Sequence, residues 1–328
     1  MARLICAGMA VVDIPLKPVD RSIFDVDGFE LEKTVMNSGG DAFNTAINLA
    51  KLGMNQEMKY VGMVGDDIFG SFILKVAQEK GLNTSGIGTT QKASTATSFI
   101  LIESSGERHF IFTSGASRVI DENFVISHLD SDTEFLHIGS LMTHPKLEFD
   151  HLERLFRYAR DHNIKTSFDV THDSEGLWLK RIEKGLPYTD TFFASYEEAV
   201  SLSGGLKNPD EMSRFFHQFG IKNFVLKLGK DGCYATDYHN VYQVETFTEC
   251  PVVDTTGAGD AFVSGYLFGI LKGFSMEECC LLGNGNGSLS VGAIGATTST
   301  GTAEQLKQFF IDHGTKNLKD PNSFLKKF

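Results

Sequence analysis

Two kinds of segment take turns along this chain, and that alternation restricts its fold more than any other feature. Phe135 to Ile138, Thr166 to Asp169, Thr191 to Ala194 and Phe224 to Leu228 are short and apolar, as strands covered on both faces are. Among them run patterns of helical period, at Asp66 to Lys80, Phe149 to His162, Pro209 to Phe219, Gly257 to Lys272, Met276 to Val291 and Ala303 to His313. Such alternation argues for an α/β fold, a mostly parallel sheet with helices on both faces. Two regions break it. Ile14 to Met36 has no clear helix, and Ala96 to Phe112 reads as two strands around Ser104-Ser105-Gly106-Glu107, a hairpin signal. No repeat or low-complexity tract marks a linker.

One junction carries chemistry. Asp254-Thr255-Thr256-Gly257-Ala258-Gly259-Asp260-Ala261-Phe262 joins an apolar run, Cys250 to Val253, read as a strand, to a helical one. Gly257 to Asp260 therefore sit at a helix N-terminus, where unpaired N–H groups and the positive dipole end favour an anion. Asp260 either caps this helix or accepts a proton from a hydroxyl attacking phosphorus. A second glycine-opened helix begins in Asn37-Ser38-Gly39-Gly40-Asp41-Ala42-Phe43-Asn44, with Gly53 as its stop. Near the start, Ile5 to Asp13 reads as one strand ending on a carboxylate. Asp13, Gly40 and Asn44 together suit the hydroxyls of a sugar.

In these residues the chain resembles the ribokinase-like (PfkB) family of carbohydrate kinases, in order and over nearly its whole length. Asp13 matches an early sugar-binding aspartate, Gly39-Gly40 with Asn44 the first signature, and Asp254 to Leu267 the second. Lys227-Leu228-Gly229-Lys230-Asp231-Gly232 resembles the nucleotide-side turn, and Asn284 the adenosine-side helix. The resemblance implies a three-layer α/β/α sandwich, residues 1–328 as one kinase domain, and a small β-sheet lid from segments of about 14–36 and 96–113. It implies ATP-dependent transfer of the γ-phosphate to a sugar hydroxyl, with Asp260 as general base and the amides of Gly257, Ala258 and Gly259 as the anion hole. Asp13, Gly39, Gly40, Asn44 and Arg108 would contact the sugar; Lys227, Gly229, Gly232, Thr256 and Asn284 the nucleotide. Magnesium would be held near Glu198 through water, and a monovalent cation, potassium, by Asp254, Thr256 and Ser299.

Two of these residues keep a plainer alternative. Arg108, with His109, lies on the second hairpin strand, where it either touches ligand or lines a solvated face. Lys227 either meets phosphates or ends a buried strand with its head in water. Phe110 and Phe112 on the same strand suit a homodimer contact through the lid.

Departures from the family pattern bear on the substrate. Ser195-Tyr196-Glu197-Glu198 keeps the acid of an Asn-x-x-Glu motif but replaces its asparagine. After the strand-end Asp169, Asp173 and Glu175 stand where relatives acting on acidic sugars place cations, which points away from an acidic or phosphorylated sugar. Gly139-Ser140 takes the place of a ribokinase carboxylate and tilts the expectation toward a neutral hexose or ketose. A nucleoside kinase of the same family and a non-catalytic sugar-binding regulator are the alternatives.

Composition fits. A net charge of −12 without clustered Lys and Arg speaks against nucleic acid. The apolar stretch Leu4 to Val12 is short of a membrane span, and five scattered cysteines suit a reducing cytoplasm. Gly257-x-Gly259 lies too late and lacks the third glycine of a nicotinamide fingerprint, and no Walker-type Gly-Lys-Ser/Thr occurs.

Overall fold

The computed structural model describes residues 2–31, 33–316 and 318–328, and folds the alternating segments into a nine-stranded sheet beside a separate four-stranded one. The strands are β1 (Leu4–Ala7), β2 (Val11–Leu16), β3 (Asn37–Gly39), β4 (Met58–Gly65), β5 (Ile87–Thr90), β6 (Ala96–Ile102), β7 (Arg108–Thr113), β8 (Phe135–Leu141), β9 (Lys165–Val170), β10 (Thr191–Ser195), β11 (Asn223–Lys227), β12 (Cys233–Thr236) and β13 (Val241–Val244). The helices are α1 (Asp41–Leu49), α2 (Ile68–Glu79), α3 (Glu122–Ile126), α4 (Asp150–Asp161), α5 (Leu179–Ile182), α6 (Tyr196–Leu202), α7 (Pro209–His217), α8 (Ala258–Leu271), α9 (Met276–Ser290), α10 (Ala303–His313) and α11 (Pro321–Lys326).

The large sheet runs β13-β12-β11-β10-β9-β8-β1-β4-β5 and is parallel except where β12 pairs antiparallel with β11 and β13. Its strands are apolar on both sides because both faces are covered. On one face Phe193 and Val225 pack with Phe43 of α1, Val263 and Tyr266 of α8 and Leu282 of α9. On the other, Phe168, Phe192 and Phe224 pack with Leu155 and Phe156 of α4 and Phe216 of α7. Reciprocal side-chain caps at Ser195/Glu198, Ser275/Glu278 and Thr302/Gln305 fix where α6, α9 and α10 begin.

The small sheet runs β3-β2-β6-β7, with β2 parallel to β6 and the outer pairs antiparallel. The expected hairpin is present as β6 and β7. Edge strand β7 is exposed along its whole length, with Phe110, Ile111 and Phe112 bare.

Three expectations need correction. Ile5 to Asp13 is not one strand: the chain leaves the large sheet after Ala7 and joins the small one at Val11, a change of sheet to which alternation is blind. Of segment 14–36, which includes residue 32 outside the described set, only Ile14–Leu16 pairs in the small sheet; Asn37–Gly39 supplies the other strand. Cys250 to Val253 forms no strand, and Val252 and Val253 point outward because no neighbouring strand pairs with them. At the chain end, α11 is anchored by the buried Phe324, whose ring meets Phe274 and Phe310.

Candidate active site

The site grows from the ends of β1, β8, β9, β10 and β11 and the starts of α1 and α8. Gly257 holds φ 76°, and a Cβ there would lie 2.6 Å from Ala296 Cα, so only glycine fits between the turn and the loop behind it. Among the described residues the amides of Gly257 and Gly259 have no protein acceptor, whereas that of Ala258 bonds the Thr255 carbonyl at 3.2 Å. Two of the three expected anion-hole donors are therefore open.

Four carboxylates and one ammonium gather in front of this turn. Oxygens of Asp41, Asp169 and Asp260 lie within 4.8 Å of one another, and these residues share a cavity of about 600 Å³ with Glu198 and Lys227. Asn44 Nδ2 donates to Asp260 Oδ2 at 2.8 Å. Desolvation first, then the charge of Asp169, lifts the Asp260 carboxyl to about 7, against the pull of Asn44 and Lys227. Asp41 is lifted well above the carboxylate range by desolvation and by Asp260 and Asp169. Asp169 goes the other way. Its desolvation is outweighed by His137, Lys227 and the Ser140 N–H, which donates at 2.9 Å, so it stays ionised. Desolvation pulls Lys227 down, but Glu198, Asp169, Asp260 and Asp41 outweigh it and hold the ammonium charged. Lys227 thus ends its strand facing the site rather than bulk water, beside Gly259 of α8.

Of the residues expected to contact a sugar, Asp13, Gly39, Gly40 and Asn44 are joined through β2, β3 and the start of α1, and none of them lines either cavity. Asp13 lies opposite Asn37 in the small sheet, and its carboxylate rests directly over Gly39, where any Cβ would collide with it. Desolvation raises Asp13 to about 6, and among the described residues it has no hydrogen-bond partner. Gly40 precedes α1, which points Asn44 at Asp260; the Asn44 Oδ1 is buried without a partner.

On the other side of Lys227 a second cavity of about 480 Å³ is lined by Gly229, Gly232, Phe247, Val252, Phe262 and Asn284. The two cavities share Lys227, Gly229 and Gly259, so they meet at the start of α8. Asn284 Nδ2 is committed to the carbonyls of Val244 (2.8 Å) and Glu245 (3.2 Å). Ser195 and Glu198 form the α6 cap, and desolvation raises Glu198 despite Lys227 opposite.

Thr256 does not line either cavity. Its hydroxyl donates to Asp254 Oδ1 at 2.8 Å and accepts from Arg108 Nη1 at 2.9 Å, and Arg108 Nη2 reaches Asp254 Oδ1 at 3.2 Å. Arg108 thus belongs to the turn before α8 and spans the two sheets. Asp254 also accepts from Gly295 N at 3.0 Å; desolvation works against these bonds, yet they hold its carboxyl at about 2. The Ser299 Oγ is buried without a partner.

One inference fails. Asp173 and Glu175 do not face the sugar side: both pair with the buried Arg181, at 3.1 and 2.8 Å, and Asp173 also accepts from Trp178 N and Glu175 N. They therefore say nothing about the substrate's charge. Conversely, Asp41 and Asp169 escape a reading by motif. An acid at the first position of a helix reads as a partner for the dipole, and Asp169 as a strand end; the register of β8 with β9 brings them to Asp260.

The comparisons agree with this geometry. The model of the pfkB family carbohydrate kinases matches residues 1–303. An ATP-dependent 6-phosphofructokinase of Thermoanaerobacterium thermosaccharolyticum is 27% identical over 87% of this chain and 88% of its own. A probable fructokinase-2 of Arabidopsis thaliana is 30% identical over 73% of this chain and 74% of its own. The crystal structure of a fructokinase with bound ATP from Xylella fastidiosa superposes with a TM-score of 0.79, covering 95% of this chain and 99% of its own at 24% identity. The chain belongs to the pfkB family of carbohydrate kinases, phosphotransferases that act on an alcohol group.

Proposed function

We propose that this protein transfers the γ-phosphate of ATP to a hydroxyl of a neutral sugar, with Asp260 as the base. The observation that carries the reading is the position of Asp260: at the start of α8, where the two cavities meet, next to open amides and to Lys227. A carboxyl near 7 suits a group that takes a proton from an alcohol and releases it after transfer. Asp13 and Asn44 hold the sugar hydroxyls, and Asn44 orients Asp260. The amides of Gly257 and Gly259 meet the transferring phosphoryl group, and Lys227 the phosphates, as charge builds on their oxygens. The second cavity takes the nucleoside.

Asp169 and Glu198 offer hard carboxylate oxygens beside that path, a donor set that fits magnesium. When bound, the ion neutralises phosphate charge. The loops of Asp254, Thr256 and Ser299 are our place for a monovalent cation, and turnover in potassium against tetramethylammonium tests it.

The neutral substrate now rests on different residues. Asp41, Asp169 and Asp260 cluster on the acceptor side, with Asp169 held ionised, and Arg108 is engaged by Asp254 and Thr256, so an anionic sugar would meet like charge. The edge of β7, with Phe110, Ile111 and Phe112 bare, supports a homodimer through the small sheet, which we also read as a lid over the sugar. Sedimentation of the wild type against Phe110→Ser/Phe112→Ser checks the contact.

The deciding experiment incubates neutral sugars, sugar acids, sugar phosphates and nucleosides with ATP and magnesium and reads ADP. Turnover of a neutral hexose or ketose is expected. Turnover confined to nucleosides would move the assignment to a nucleoside kinase, and turnover of none would leave a regulator.

A further inference from the structure

The face of α1 that carries Asn44 continues past the catalytic centre and is stitched to the opposite wall over two more turns. Asn48 Oδ1 accepts from Thr300 Oγ1 at 2.7 Å. Lys51, in the π-helical turn Ala50–Met54 that continues α1, sends its ammonium into the loop behind α8, where it donates to the carbonyls of Thr297, Thr298 (3.3 Å) and Thr300 (2.9 Å) and to Thr300 Oγ1 (3.2 Å). Residues 44, 48 and 51 are spaced to share one side of the helix.

Lys51 has an unusual set of partners for a lysine. Among the described residues no carboxylate lies within ion-pair distance of it, so three main-chain oxygens and one hydroxyl answer its charge. Desolvation, then the charge of Lys80, lowers its pKa. An ammonium held by three carbonyls of one loop fixes the path of that loop much as a bound cation would.

What the loop does next gives Lys51 a role. Gly295 N donates to Asp254 Oδ2 at 3.0 Å, and Ala296 forms the wall against which Gly257 turns. Asp254 in turn holds Thr256 through its amide (3.0 Å) and hydroxyl (2.8 Å) and Arg108 through Nη2. The same helix face therefore positions Asp260 through Asn44 and backs the open amides through Lys51.

We propose that Lys51 is a positioning residue for phosphoryl transfer, an internal cation that pins residues 297–300 and so keeps the turn at Gly257 in register with Asp260. The role in transfer rests on the kinase reading above; the control of the loop does not. Displacing a reacting group by about 1 Å can cost two orders of magnitude in rate. Lys51→Met should therefore lower kcat about 10- to 100-fold while changing KM for sugar and ATP less than about threefold. Lys51→Arg, which keeps a cation within reach of the carbonyls, should recover most of the rate. In Lys51→Ala, propylammonium chloride, which replaces the deleted atoms, should restore turnover where tetramethylammonium at equal ionic strength does not.

Hydrogen exchange separates the two premises, because it needs no turnover. Amides 254–259 and 293–300 should exchange at least about tenfold faster in Lys51→Met than in the wild type, with the large sheet unchanged. Wild-type exchange at 254–259 in the variant overturns the proposal whatever the enzyme phosphorylates. So does a Lys51→Met enzyme within twofold of the wild-type kcat, or a rate loss that matches a fall in thermal midpoint and resists both arginine and propylammonium. If Lys51→Met does not fold, Lys51→Gln, neutral but still a donor, carries the same comparisons. Failure of the wild type to turn over any sugar would count against the kinase reading, and the exchange result would still decide the role of Lys51 in the loop.

Discussion

Helices α1 and α8 start side by side, each opened by glycine and each with an aspartate in its first turn, yet only α8 turns a backbone amide without an acceptor toward both cavities. At α8, Gly257 and Gly259 leave their N–H groups without acceptors and the turn faces both cavities. At α1 the first amide, Asp41 N, meets Ser140 Oγ at 3.3 Å, the next two belong to the buried Ala42 and Phe43, which line neither cavity, and it is side chains that reach the site, Asp41 into the cavity and Asn44 to Asp260. One helix start is built to receive an anion, the other to aim a side chain. Motif alone does not separate them; what each amide faces does.

The sharpest way to break this contrast is to change the two aspartates in turn. Asp260→Asn should lower kcat by roughly 10²- to 10⁴-fold, the range for loss of a general base, with sugar binding by calorimetry little changed. Asp41→Asn, at the other helix start, should cost less than about tenfold, because it changes a neighbouring carboxyl and no reacting group. Equal losses in the two variants would erase the distinction.

Lys227→Met comes next. It removes the cation between the carboxylates and the phosphates, and a loss of about 10- to 100-fold in kcat/KM for ATP is expected. It should also move the acid limb of the pH–rate profile upward. The wild-type limb belongs near pH 7, since Asp260 must be ionised to act as a base, and Lys227 favours that ionised form. Asn44→Ala should shift the limb in the same direction by at least as much, by removing the hydrogen bond that most favours the carboxylate. A limb that stays in place in both variants would mean that it reports another group.

The smallest effect is on stability. The folded pKa of Asp260 stands above the unfolded value of about 4, so this group favours folding at low pH, and that contribution is lost as pH rises through about 7. Asp260→Asn should therefore raise the thermal midpoint by a few degrees at pH 8, by about a third of that at pH 5 and hardly at all below about pH 4. A midpoint that falls at pH 8 would contradict the desolvated, crowded carboxylate.

Much of this was legible in the chain. The helical stripe of α4, Leu152, Leu155, Phe156 and Ala159, is buried as its spacing dictates, and the hairpin turn and α8 stand where their patterns put them. Asp13, Asn44 and Asp260 were legible because glycines and helix starts flank them. What stayed hidden depends on pairing between distant segments. Asp169 reaches Asp260 only through the parallel register of β8, β9 and β10, and Arg108 reaches Asp254 only because the small sheet lies over the turn. The reading of Asp173 and Glu175 failed for a different reason: their cation, Arg181, is a neighbour six to eight residues on in the chain, and counting charges did not connect it to them.

The second cavity has its polar groups turned on one another. Asn284 gives its amide hydrogens to main-chain carbonyls, and Thr246 Oγ1 and Ser288 Oγ bond each other at 3.1 Å, while Phe247, Val252 and Phe262 supply carbon surface. A purine lodged there is gripped by its faces more than read at its edges. Such a wall discriminates poorly among bases, since contacts of this kind separate rivals by only about 10- to 200-fold. On the proposed reading, the enzyme should accordingly draw phosphate from guanosine or inosine triphosphate at rates within about 10- to 200-fold of those with ATP, and its sharper choice of partner should reside on the acceptor side.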